Sequence, residues 1–305
     1  MLLALALAAA PAHAVDGLAW TWDAPRRYLL EADVYYPSYQ VFPAEENREV
    51  RIVATTLRVD TTCAPYGKPA KKFVEVRCAL DDIEIAALPV AADAGRVVTV
   101  LDEIERVLEP AYLQIEFNYD GRVRSIDLEG ISTQNMNDRI RRMEQTIRLA
   151  LVRAFAPFDL ALPSGGADDG RPWTHDGMLA NGFPSLVGSV GSVPVDIAVA
   201  RTEGTLVTLS TKGQGVAGPG ETVGTPGGGE RIANTYAMTL SGFANFDTAA
   251  HALVARQYRV VGTPTASSLK AEGGSSAPYT QDTRLTLVRP TDPPPQLGPN
   301  TERTE

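Results

Sequence analysis

The chain has 305 residues, of which 44% are hydrophobic and 21% charged, with a formal net charge of −9. That acidic balance argues against nucleic acid or an anionic membrane surface as the main partner. The length suffices for one large β-rich domain or two ordinary ones.

In chain order, residues 1–14, MLLALALAAAPAHA, read as a secretory signal peptide. Leu2–Ala10 forms the apolar stretch and Ala12-His13-Ala14 the A-x-A cleavage site, although no Lys or Arg precedes them. The mature protein is expected to begin at Val15 and to be exported, periplasmic or extracellular. No later run approaches the ~20 apolar residues of a membrane span, so no transmembrane segment is expected.

Trp20–Asp23 and Arg27–Tyr36 predict strands, separated from the next by a loop over Pro37–Asn47. Glu49–Val59 and Lys72–Leu80 are strongly β-prone, and Ile83–Leu88 predicts a further strand or a bulged extension. Cys63 and Cys78 are the only cysteines. In an oxidising compartment they are expected to form a disulfide across the Pro65-Tyr66-Gly67 turn. With no C-x-x-C spacing, redox chemistry is not expected from them. Val98–Leu108 predicts a short helix stopped by Pro110. A hairpin follows, Tyr112–Tyr119 and Arg122–Leu128, with Asp120-Gly121 supplying the positive φ angles of a two-residue turn.

The stretch Asn135–Phe155 has convincing helical periodicity. Met136, Ile140, Met143, Ile147, Ala150, Leu151 and Ala154 share one arc of a 3.6-residue wheel, Asn135 is the N-cap, and Pro157 ends the helix. Leu149 and Val152 point off the stripe, so cover on more than one side is expected. The run Ile104–Ala154, with "EPAYLQIEFNYDGRVRSIDLEG" and "NMNDRIRRMEQTIRLAL", resembles the N-terminal region of the vitellogenin-like large lipid transfer proteins. There a strand, a turning glycine, a return strand and an Asn-led helix recur in that order. The resemblance spans about fifty residues and implies a strongly curved antiparallel sheet around a helix, and an apolar ligand. It carries no functional residue across.

Beyond Pro157 small residues dominate. Phe158–Leu162, Leu186–Val190, Val193–Arg201, Leu206–Thr211, Arg231–Ala244, Ala252–Val261 and Arg284–Arg289 predict strands. Val216–Glu230 reads as a Gly-rich hairpin loop and Thr291–Glu305 as a disordered Pro-rich tail. The expected domains are a signal over 1–14, a β-rich region over 15–157, a Gly/Ser-rich β region over 158–289 packed with it, and a tail over 290–305. The fold class expected is mainly β with one long helix: a curved antiparallel sheet, half-barrel or β-sandwich packed on Asn135–Phe155.

Motifs for catalysis are thin. His175 and His251 have no partners at metal-ligand spacing, His175 reading as a loop residue and His251 as strand or turn. Gly213-Gln214-Gly215-Val216-Ala217-Gly218 matches G-x-G-x-x-G, but Pro219-Gly220 cannot open the helix that phosphate binding needs, so it reads as loop. Ser267-Ser268-Leu269-Lys270 matches S-x-x-K without companion motifs. Asp81-Asp82 and Asp168-Asp169 read as solvated turns. Trp20, Trp22, Tyr28, Tyr35, Tyr36 and Trp173 read as core or sheet-face packing. No metal and no cofactor are expected, and no enzymatic activity.

The expected function is a non-catalytic binding or carrier protein of the cell envelope. Its ligand would be a lipid or other apolar molecule against Met136, Ile140, Met143, Ile147 and Leu151. The alternative is a structural or assembly component of a secreted or surface complex, with an envelope protein as partner.

Overall fold

A computed structural model of the chain describes residues 14–15, 17–43, 49–67, 72–89, 105–108, 110–131, 151, 154–163, 166–168, 171–175, 194–217, 236–264 and 279–288. The signal over 1–14 except Ala14, the helix from Asn135 to Ala150, Leu186–Val190, the S-x-x-K stretch and the tail from Thr291 lie outside the described residues.

The protein is mainly β. Its strands are β1 Ala14–Val15, β2 Arg26–Pro43, β3 Glu49–Tyr66, β4 Phe73–Pro89, β5 Tyr112–Asn118, β6 Val123–Glu129, β7 Ala167–Asp168, β8 Trp173–His175, β9 Val195–Glu203, β10 Leu206–Ala217, β11 Tyr236–Asp247, β12 Ala252–Pro264 and β13 Tyr279–Val288. β1 and β7 pair by themselves, and the other eleven form one antiparallel sheet in the order β6-β5-β4-β3-β2-β13-β12-β11-β10-β9-β8. A sandwich of two facing sheets is therefore ruled out. The strands before and after Pro157 belong to one sheet, joined where β2 pairs with β13 from Thr280↔Tyr35 to Val288↔Arg27.

Period-two alternation explains the sheet's two faces. Tyr28, Leu30, Ala32 and Val34 on β2 are buried, as are Leu113, Ile115 and Phe117 on β5. Between them on the opposite face Arg58 lies 3.3 Å from Glu31 and 3.4 Å from Glu84, linking three adjacent strands. Register shifts interrupt the ladders at Asp60/Thr61, Glu116/Phe117, Thr208/Leu209 and Asn245/Phe246. Such bulges bend and twist strands, which a sheet must do to roll up.

Several expectations are corrected in detail. β2 does not stop at Tyr36 but continues to Pro43, with its register shift between Tyr35 and Gln40, where Pro37 and its missing N–H are tolerated. Ile83–Leu88 is the extension of β4 past a bulge. Trp20–Asp23 joins no ladder: the chain crosses one end of the sheet there and turns both indole rings inward, stacked 5.9 Å apart. The glycines of the G-x-G-x-x-G match are strand, with Gly213 and Gly215 opposite Leu240 and Met238.

The Asp120-Gly121 hairpin forms, but only Gly121 has a positive φ, +87°. Its N–H donates to Asn118 O and the Asn118 N–H donates to Arg122 O, which makes a three-residue loop closed by a glycine bulge.

Cys63 and Cys78 face each other directly across β3 and β4, 3.9 Å apart at Cα, and are bonded. Both are fully buried, so the bridge staples the inner face of the sheet. Replacing both with alanine should lower stability by about 3 kcal/mol through the freed unfolded chain, read from urea unfolding. No loss on removing the bridge would refute a stapling role.

Candidate functional site

Flat, a sheet of eleven strands would hold its outer strands roughly 48 Å apart, at about 4.8 Å per spacing. In this protein one carboxylate touches both. Asp159 Oδ1 accepts the Val123 N–H of edge strand β6 at 2.8 Å, and Oδ2 lies 3.1 Å from Nε2 of His175 on the opposite edge strand β8. The sheet is therefore rolled until its edges face each other, with Asp159 at the seam. No ladder joins β6 to β8 among the described residues. A ring of this many strands would be roughly 22 Å across, more than wall side chains alone can fill.

What lies in the seam is the segment from Phe155 to Leu162. It reads as a strand in sequence from Phe158, but a 3-10 turn, Ala156–Phe158, opens it and the rest is irregular. All of it is buried, so its backbone groups must find partners without a ladder. Asp159 N–H donates to Ala156 O, Leu160 N–H to Phe158 O, and Leu162 N–H to Asp120 O. Side chains serve the remaining carbonyls. Arg256 Nη1 donates to Pro157 O at 2.9 Å and to Asp159 O at 2.6 Å, while Trp20 Nε1 donates to Leu160 O and Trp173 Nε1 to Ala161 O. Two of the conspicuous tryptophans thus act through their N–H groups as well as their rings.

Around this segment the lower end of the rolled sheet, the end of the turns at Gly67, Gly121 and Gly204, is filled by aromatic rings. Trp22 and Phe117 lie 5.2 Å apart, Tyr28 and Phe158 4.9 Å, Trp20 and Phe246 5.7 Å, and Phe155 and Phe158 5.8 Å. Edge-to-face and offset arrangements of this kind are favoured by the ring quadrupoles. Toward the other end the inner face changes character. It carries Ala32, Val34, Gly213, Leu240, Val260 and Gly262, which are aliphatic or without side chains.

Of the residues expected to line a ligand site, Met136, Ile140, Met143 and Ile147 lie outside the described residues. Leu151 is helical and 1% exposed, and with the helical Ala154 and Phe155 it belongs to the core.

Sequence reading missed the polar group in the seam: Asp159, His175 and Arg256 are 0%, 1% and 2% exposed. His175 is not a loop residue but the end of β8, and its Nδ1 is buried without a hydrogen-bond partner. Nothing therefore stands at Nδ1 for the imidazole to deprotonate, and the Asp159–His175 contact closes the wall. With Asp159 ionised, Nε2 carries the proton and donates. His251 is a turn residue with φ +48°. Among the described residues no cluster of His, Cys, Asp or Glu could hold a metal ion. No helix among them is long and apolar enough to cross a membrane.

No protein-family model matches this chain, and no curated protein does.

Burial pushes the Asp159 carboxyl up, but the His175 hydrogen bond and charge, the Val123 N–H and Arg256 outweigh it and hold the group below its usual value. A carboxylate depressed on folding contributes stability above its unfolded value near pH 4, and loses it as pH falls through the lower folded value. Melting temperature should accordingly drop at acid pH, with a shallower drop in Asp159→Asn. Equal acid profiles in the two proteins, followed by circular dichroism, would show that the seam carboxylate is not responsible.

Proposed function

We propose that this protein is an exported, non-catalytic carrier of the cell envelope that holds a lipid or other apolar molecule inside the rolled sheet. The helix over Asn135–Phe155 takes part as cover in this reading, with Met136, Ile140, Met143, Ile147 and Leu151 on the ligand side. One observation carries it: a single eleven-stranded sheet brings its edges together at Asp159, is plugged by aromatics at one end and is lined by small and aliphatic residues toward the other. Wide rolled sheets with apolar walls are where ligand cavities are found. The resemblance of Ile104–Ala154 to the large lipid transfer proteins points the same way. The buried disulfide and the signal-like first residues support export.

The experiment is mass spectrometry on mature protein from Val15, purified without detergent, measured native and again after denaturation and organic extraction. The carrier reading expects a lipid-sized mass released on denaturation, or uptake of added lipid by the bare chain. A bare chain that takes up none of a panel of added lipids overturns it.

A further inference from the structure

We infer that Arg256 anchors the anionic end of the ligand, which makes that ligand an amphiphile bearing a carboxylate on an apolar chain; this rests on the carrier reading above. Arg256 faces the inside of the rolled sheet from β12 and is 2% exposed. Its Nη1 serves the carbonyls of Pro157 and Asp159. Its Nε–H is buried and meets no hydrogen-bond partner. That N–H belongs to the side-on edge of the guanidinium, the edge whose parallel donors match the two oxygens of a carboxylate. Asp159 does not fill that edge with the two contacts its oxygens make, which go to Val123 and His175.

A second buried group is in the same position. Thr211 on β10 is 1% exposed and its Oγ1 has no partner. Gly242, which pairs with both Thr211 and Tyr258, puts no side chain between them. Buried donors left without acceptors are costly and uncommon in native proteins, and a ligand oxygen is one way of satisfying them. Beyond this row the wall offers Val34, Leu240, Val260 and Gly213, suited to a hydrocarbon chain. From Arg256 to the end of β12 at Pro264 the strand runs about 26 Å at 3.3 Å per residue, long enough for an extended acyl chain of about sixteen carbons.

The test is calorimetric titration of the mature protein with hexadecanoic acid, its methyl ester and sodium acetate, in the unaltered chain and in Arg256→Met. The acid is expected to bind at least about tenfold more tightly than the ester, with the gap closing in the variant. Acid and ester binding equally would remove the anchor and leave the carrier reading standing. Neither binding would remove both. Acetate binding as tightly as hexadecanoate would make this a site for free carboxylates and overturn the amphiphile. A preference for acid retained in Arg256→Met would overturn the assignment to that residue. Should Arg256→Met fail to fold, the comparison of acid with ester in the unaltered protein still decides.

Discussion

Replacing Asp159 with alanine is expected to lower the unfolding free energy by about 3–5 kcal/mol, the range for breaking a buried charged pair by removing one partner. The reason lies in what the substitution strands. The Val123 N–H and the His175 imidazole both lose their acceptor in a place water does not reach, since Asp159 is 0% exposed. Both losses fall on edge strands, so the seam opens as well as weakens. Asp159→Asn should cost less, about 1–3 kcal/mol, because its amide oxygen can still accept from Val123. Urea unfolding of the two variants checks the order. Equal losses, or a loss below 1 kcal/mol in Asp159→Ala, would mean that the edges are held by something other than this carboxylate.

Gly121→Ala should be of similar severity, for a steric reason. Gly121 has φ +87°, and a Cβ there would lie 2.1 Å from the Trp20 ring and 2.4 Å from Leu160 O. The methyl group would wedge the β5–β6 turn away from the aromatic plug and from the seam segment. We expect a loss of about 3–5 kcal/mol, combining backbone strain with overpacking. Gly204 is the internal control. It has φ +60° but nothing within 4 Å of its Cβ position, so Gly204→Ala should cost only the left-handed strain, about 1–2 kcal/mol. Melting temperatures of the two variants measured side by side separate strain from clash, and equal shifts would refute the close approach of Trp20.

Stability and the proposed binding role meet in the same few residues. Arg256 secures the seam through Nη1 while its Nε–H stays open, so substitutions there should move both melting and binding. Trp20 likewise belongs to the plug through its ring and to the seam through Nε1.

Much of the sheet was legible because its signals are local. Alternation in β2, β3, β4 and β5, the Asp-Gly turn and the close Cys63–Cys78 pair each depend on residues within one hairpin of each other. The seam was not legible for the opposite reason. Val123 is 36 positions from Asp159, His175 is 16 positions away, and Arg256 is 97 positions away. No spacing rule links them. One clue was present: FAPFDLAL, Phe155–Leu162, holds a single carboxylate among apolar residues, and a lone charge in such a run is either misplaced or paired. The same run was read as a strand because apolar content cannot distinguish a ladder from a buried segment whose carbonyls are met by tryptophan and arginine side chains.

By itself, then, the sequence determined that this chain is built of long antiparallel strands with one buried face and a disulfide hairpin, since side-chain alternation and turn chemistry act over a few residues. Only the tertiary structure decided that those strands make one sheet rather than two, that β2 meets β13, and that the edges come together on Asp159. Each of those outcomes depends on contacts between distant residues. Their free energy comes from burying aromatic rings and satisfying polar groups at once, and no local pattern encodes it.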